Sequence, residues 1–284
     1  MLMKTLPLRL VAASGVLAAA TGNVMAGTGQ PSPWQMTLQT PVTPIADRMH
    51  DFHDMLLWII TAIVILVLAL ILWVVFRFSE RRNPTPSKTT HNSLLEVAWT
   101  LIPVLILVVI AVPSFRLLKD QLTLPKADIV IKATAHQWYW SYEYPKDQGG
   151  FSFDSNLAQD KEPRLLAVDN EVVLPVDTTI RVQVTASDVI HAFAMPSFGL
   201  KIDAIPGRLN ETWFHAEKEG VFYGQCSLIC GQNHAYMPIA IRIVSKDAYK
   251  TWLEQAKKKF AANGAGQHYA ANDNGQLATE AAVR

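Results

Sequence analysis

Cysteine is scarce in this chain. Cys226 and Cys230 are the only two in 284 residues, so at most one intrachain disulfide is available. An excess of charge is also lacking: the formal net charge is +1, and no global basic field points to nucleic acid. The chain shows no internal repeat, no haem-attachment motif and no histidine cluster inside an apolar run. Haem chemistry in this chain alone is therefore excluded. From about Asp120 to Ser245 there is no helical pattern of convincing length, which excludes an all-helical or α/β exported domain.

Long hydrophobic runs, by contrast, are present. Residues 1–26 carry Lys4 and Arg9, then small apolar residues, then Val24-Met25-Ala26, the pattern of a cleaved secretory signal. Their apolar part is too short and alanine-rich to favour a third anchor. Met55–Phe76 holds no charge and as a helix extends roughly 33 Å, enough for about 30 Å of hydrocarbon. A second run, Val97–Phe115, includes Pro103 and Pro113. We expect a signal over 1–26, an exported segment over 27–54, spans over 55–77 and 96–118, and a cytoplasmic loop over 78–95. That loop carries Arg81, Arg82 and Lys88, with Arg77 at its edge, against Glu80 alone, so it stays inside and both ends of the mature chain lie outside.

The exported part, 119–245, alternates apolar and polar residues in "ADIVIKATAHQWYWSYEY", "EVVLPVDTTIRVQVTASD", "ETWFHAEKEGVFYGQC" and "MPIAIRIVS". Turn residues separate these runs, which predicts an all-β sandwich or barrel. Trp138 and Trp140 then share one strand face and Tyr139 the other. Residues 246–260 read as one helix with Ser245 as its cap, and 261–284 as a disordered tail. The span from Asp120 to Ser245 holds 15 Asp or Glu against 10 Lys or Arg, a surface able to steer a basic partner.

Chemistry concentrates in "YGQCSLICGQNHAYMPI", Tyr223–Ile239. Export permits a disulfide, but a Cys-x3-Cys bridge closes a very short loop and requires neither His234 nor Met237. Zinc takes cysteine and histidine, yet methionine is not among its usual ligands. A soft set of thiolate, imidazole and thioether favours copper in electron transfer over these two readings. Cys230, His234 and Met237, with upstream His191 in "SDVIHAFAMPSFGL", match a mononuclear blue-copper set. Cys226 is one thiolate too many for that set. Two thiolates can bridge two copper ions, with one imidazole terminating each.

Taken with "LLEVAWTLIPVLILVVIAVPSFRLL", "HQWYWSYEY", "LAVDNEVVLP" and "HAFAMPSFGLKIDAIPGRLNETWF", this loop resembles subunit II of the haem-copper cytochrome c oxidases. The resemblance covers nearly everything between signal and tail. It implies a cupredoxin-like sandwich on a two-helix transmembrane hairpin, in a bacterial inner membrane with the large domain on the periplasmic side. It implies two copper ions (CuA) bridged by Cys226 and Cys230, terminated by His191 and His234, with Met237 and the backbone carbonyl of Leu228 as weak ligands. The family usually has Glu at position 228, which also holds a magnesium ion; leucine offers a hard cation no donor, so the resemblance leaves magnesium in doubt.

By the same resemblance, Trp138 receives the electron from cytochrome c, and Glu143, Asp169 and Asp188 dock that partner. Glu96 opens a proton path into subunit I, which carries the haems and CuB, with subunit III and membrane lipids as further neighbours. On the residues alone, Glu96 also suits a helix N-terminus, and His50, His53, His136, His215 and His268 read as interfacial, structural or surface groups. The function implied is electron transfer from cytochrome c to subunit I for oxygen reduction coupled to proton translocation. The chain is then an enzyme subunit with no complete catalytic site. A membrane-anchored copper-delivery protein is the alternative; a quinol-oxidase subunit lacks the copper ligands, and a purely structural domain needs only a disulfide.

Overall fold

The computed structural model describes residues 29–261, so the expected signal over 1–26, His268 and the tail beyond residue 261 lie outside the described residues. Helix α1 spans Pro44–Arg77 and α2 spans Ser93–Leu122. α1 begins well before Met55 because Thr43 caps it: its Oγ1 accepts from Ala46 N at 3.1 Å, and Pro44 opens the first turn without losing a needed N–H. At 34 residues the helix is about 51 Å long, so its polar start at Asp47, Arg48 and Asp51 projects beyond the hydrocarbon. α2 keeps Pro103 and Pro113 inside, as membrane helices tolerate. Its cap is reciprocal: Asn92 Oδ1 accepts from Leu95 N at 3.1 Å, and Glu96 Oε1 accepts from Asn92 N at 3.2 Å. Arg48 pairs with Asp120 where the ends of the antiparallel helices remote from their connecting loop meet.

Ten strands follow: β1 (Ile129–His136), β2 (Tyr139–Tyr144), β3 (Phe151–Ser155), β4 (Val172–Pro175), β5 (Thr179–Ala186), β6 (His191–Met195), β7 (Leu200–Ala204), β8 (Asn210–His215), β9 (Gly220–Cys226) and β10 (Pro238–Val244). They form two five-stranded sheets, β3-β2-β1-β5-β8 and β4-β10-β9-β6-β7. β1 pairs parallel with β5 and β4 with β10; the other pairs are antiparallel. Strict alternation of buried and half-exposed residues along β1, β2 and β5 turns Ile131, Ala133, Trp140, Tyr142, Val182 and Val184 into the core between the sheets.

One expectation is corrected. "HQWYW" is not a continuous strand: Gln137 and Trp138 form a two-residue turn between the facing pair His136 and Tyr139, so Trp138 leaves the face that buries Trp140. The alternation continues across this turn, and no glycine, proline, asparagine or aspartate marks it.

The start of α1 sits on the turn between β6 and β7. Thr43 Oγ1 donates to Phe198 O at 2.8 Å, and Val42 N donates to Ser197 O at 3.1 Å. Gly199 (φ +67°) lets the backbones meet, since a Cβ there would stand 2.9 Å from Ala46 Cα. At the other end, α3 (Lys246–Ala261) closes the sandwich by setting Trp252 and Phe260 against Tyr144, Phe151 and Phe153. Ser245 Oγ accepts from Ala248 N at 3.3 Å at the head of that helix.

Candidate metal centre

The ligand loop runs from the end of β9 to the start of β10. β6 and β9 are antiparallel neighbours with Phe193 opposite Cys226, so His191, the first residue of β6, reaches the loop's base. Ser227 N donates to Ala192 O at 3.1 Å, fastening the base to β6. A short turn over His234–Tyr236, tied by His234 N to Gly231 O, folds the rest back. Five donors and one carbonyl come together. Cys226 Sγ lies 3.9 Å from Cys230 Sγ, 3.9 Å from His191 Nδ1 and 3.2 Å from Leu228 O. Cys230 Sγ lies 3.5 Å from His234 Nδ1 and 3.6 Å from Met237 Sδ. Among the described residues, His191, Cys226 and Cys230 form a buried group with ligand atoms within 4.8 Å of one another. Both cysteines are free thiols, not a disulfide.

Electrostatics treats the two thiols differently. Burial opposes ionisation of Cys226, but hydrogen bonding with His191 and with the backbone at Ala192 and Leu228 outweighs it, bringing the thiol down to about 6. Burial and the neighbouring Cys226 charge push Cys230 up to about 12. Two thiolates at this separation repel one another, and a bound cation would offset that repulsion and favour loss of both protons. Burial disfavours charge on His191, but Cys226 and Asp188 raise its pKa above the ordinary imidazole value. The side-chain donors are soft sulfur and imidazole nitrogen, a set that suits copper better than a hard cation such as magnesium. Leu228 contributes only its carbonyl toward this site.

Trp140, fully buried, braces the loop from the other sheet: its Nε1 donates to Met237 O at 3.3 Å, and its ring lies edge-on to Phe193 at 5.3 Å. Trp138 is half-buried at the sandwich end, beside Gly231 of the loop. The three expected docking carboxylates lie apart from one another in environment. Glu143 Oε1 accepts from Lys132 Nζ at 2.8 Å. Asp169 accepts from Asn156 and Asn170 backbone N–H groups. Asp188 turns toward the ligands, with Oδ1 2.9 Å from His191 Nε2 and Oδ2 accepting from Gln137 N at 2.7 Å. Burial raises its pKa, and hydrogen bonds from His191, Val189 and Gln137 overcome this and lower it.

Glu96 caps α2 and lies far along the chain from the loop. His50 Nε2 lies 2.9 Å from Gln39 O, and His136 is held between Ser187 and Ser141. His215 is half-exposed on β8. The alternation of residues did not disclose Gln137, whose side chain reaches Cys230 O, nor the inward turn of Asp188. The first contact joins residues 93 positions apart, and the second joins residues three apart whose meeting depends on how the chain enters β6.

A β-sandwich that gathers two thiols, two imidazoles and a thioether above a two-helix hairpin defines a membrane-anchored, cupredoxin-like metal domain. The family profile for the transmembrane domain of cytochrome c oxidase subunit II matches residues 31–117, and that for its periplasmic domain matches residues 129–244. A probable cytochrome c oxidase subunit 2 of Rickettsia bellii (strain RML369-C) is 52% identical over 248 residues, covering 86% of this chain and 91% of the relative. A cytochrome c oxidase subunit 2 of Cereibacter sphaeroides is 43% identical over 270 residues, covering 86% and 89%. The crystal structure of the periplasmic domain of cytochrome oxidase subunit II of Bradyrhizobium japonicum shares 68% identity, covers 49% of this chain and 99% of its own, and has a TM-score of 0.48. The chain belongs to the cytochrome c oxidase subunit II family. It is a membrane protein and one subunit of a haem-copper enzyme, which implies subunit I and other subunits beside it.

Proposed function

We propose that this subunit takes electrons from cytochrome c at a binuclear copper centre and delivers them to the haem-copper site of subunit I. The observation that carries this reading is the pairing of donors: His191 stands against Cys226 and His234 against Cys230, with the two sulfurs 3.9 Å apart. Cys226 and Cys230 would hold both ions, His191 and His234 one each, and Met237 and Leu228 O would complete the set. When bound, the copper pair supplies a one-electron store whose bonds change little on reduction. The chain's own contribution is to keep these donors buried and braced, by Trp140 and by the tie of Ser227 to Ala192. A preformed donor set undergoes little rearrangement in use.

Trp138 accepts the electron at the sandwich surface, and Glu143, Asp169 and Asp188 belong to the acidic face that steers a basic cytochrome c. Glu96 opens the proton path from the inner side, in addition to capping α2. The sandwich faces the periplasm, and the short basic loop between α1 and α2 lies in the cytoplasm of a bacterial inner membrane. Subunit III and lipids cover the remaining apolar helix surface. Magnesium is absent or held by other residues, because Leu228 has no side-chain donor. A copper-delivery protein would need neither the half-buried acceptor tryptophan nor membership of an oxidase family.

Metal analysis with electron paramagnetic resonance on the purified oxidase tests the reading. Two coppers in this subunit sharing one unpaired electron support it; a single copper, or zinc, refutes the binuclear assignment.

A further inference from the structure

We infer that Gly231 is a positioning residue for electron transfer: its missing side chain lets the Trp138 ring lie directly on the ligand loop, one residue beyond Cys230. This rests on the reading of Trp138 as the acceptor of electrons from cytochrome c. A Cβ on Gly231 would stand 2.9 Å from Trp138 Cζ2, 3.3 Å from its Nε1 and 3.2 Å from Gln137 Nε2. The first of these is closer than a real Cβ tolerates, and the obstacle is a half-buried ring rather than the free end of a flexible chain.

The positive φ of +127° would by itself account for a glycine in a tight loop. What it does not account for is the convergence upon it. Gln137 and Trp138 form the whole turn between β1 and β2, which belong to the other sheet. Both meet consecutive residues of the ligand loop: Gln137 Nε2 donates to Cys230 O at 2.7 Å, and the Trp138 ring covers Gly231. The backbone N–H of Gln137 donates to Asp188 Oδ2, while the other oxygen of Asp188 meets His191 Nε2. The turn is thus fastened toward one cysteine ligand and one histidine ligand. Trp138 Nε1 is shielded from solvent without a hydrogen-bond partner, so ring contact, not a bond from the indole, seats the side chain.

The electron balance is simple. Ferrocytochrome c would lose one electron and become ferricytochrome c, the copper pair that Cys226, Cys230, His191 and His234 would hold would gain it, and no proton or covalent bond would be transferred. Gly231 keeps the gap between ring and loop at van der Waals contact, and its role is in that distance.

The test compares electron uptake by the intact oxidase from cytochrome c with uptake from a small inorganic reductant, hexaammineruthenium(II), that needs no protein docking. Gly231→Ala is expected to slow uptake from cytochrome c by about tenfold or more, given that misplacement of a reacting group by about 1 Å can cost up to about 100-fold. Uptake from the small reductant and the copper spectrum stay as in the unsubstituted enzyme, and a structure of the variant shows the Trp138 ring lifted from the loop. In a Trp138→Phe background the alanine adds no further loss, the non-additivity expected of residues in contact.

Unchanged uptake in Gly231→Ala alongside a large loss in Trp138→Phe overturns the inference and leaves Trp138 as the acceptor. No loss in Trp138→Phe overturns the acceptor reading and the inference with it. Where Gly231→Ala does not assemble its copper, Gln137→Leu carries the same comparison, since it removes only the bond to Cys230 O and leaves every ligand in place. Uptake equal to the unsubstituted enzyme in that variant overturns the inference.

Discussion

The anchor and the exported domain are both rich in apolar side chains, and they dispose of them in opposite ways. Along α1 and α2, Ile60, Leu68, Trp73, Leu105 and Val109 are all half or more exposed, and α2 has no buried residue. In the sandwich the large apolar side chains are inside. Among the described residues beyond α2, the large hydrophobics left exposed are Val189, Ile190, Ile229 and Tyr236. Each stands within two positions of a proposed ligand: His191, Cys230 or His234. Exposure on the anchor suits lipid and neighbouring helices, whereas a small apolar rim beside the candidate ligands is where the proposed function would place a protein contact. Under that proposal the same physical signal means solvent type in one region and partner position in the other.

The largest expected effect comes from removing the loop's chemistry while leaving the sandwich. Cys226→Ser exchanges the ionisable thiol for a hydroxyl that does not form a bridging thiolate. We expect complete loss of the binuclear copper spectrum and of oxygen uptake with cytochrome c, with a cooperative melting transition retained. A retained spectrum refutes the bridging role. Next in size is the core beneath the loop. Phe193 is fully buried against Trp140, and Phe193→Ala should lower unfolding free energy by about 3–5 kcal/mol, read from chemical denaturation in detergent. A change under about 1 kcal/mol would mean that Phe193 does not belong to the packed core beneath the loop.

Much of this architecture is legible in the sequence, for reasons that differ by element. The two spans were visible because lipid demands long uncharged runs, and β1 and β5 because period-two alternation survives wherever one face is buried. The clustering of soft donors in the loop is legible from spacing, since Cys226, Cys230, His234 and Met237 share twelve consecutive residues. What stayed hidden needed three dimensions. The turn at Gln137-Trp138 carries no turn-type residue, so its alternation reads as one strand. The bond from Gln137 to Cys230 O joins residues 93 positions apart, and the inward turn of Asp188 depends on where His191 sits at the head of β6. The early start of α1 at Pro44 was obscured because its polar first turns sit outside the apolar run.

The rim itself gives a smaller effect. Ile229 is 83% exposed between the two cysteines, so Ile229→Asp should leave the melting temperature and copper spectrum unchanged while electron flux from cytochrome c to oxygen falls about fivefold. Flux equal to the unsubstituted oxidase would remove the rim from the partner surface.

The smallest expected effect concerns His136, at the foot of the Trp138 turn. Its ring stacks on Tyr139 at 4.6 Å, with Nδ1 2.7 Å from Ser187 Oγ and Nε2 3.1 Å from Ser141 Oγ. Burial lowers its pKa; Asp154 and Asp188 oppose this less strongly, and nearby His191 adds to the lowering. The folded state therefore favours the neutral ring, and the unfolded chain, with an ordinary value of about 6.5, binds the proton more readily. The resulting stability is fully present above about pH 6.5 and is lost as pH falls through that value toward the lower folded one. Replacing the ring by His136→Gln removes this contribution, so the stability gap between the two proteins should narrow from pH 7.5 to pH 5. Denaturation curves that keep a constant gap over that range would show that the ring does not titrate with folding. They would leave the serines and the stacked Tyr139 as the whole support of the turn that carries Trp138.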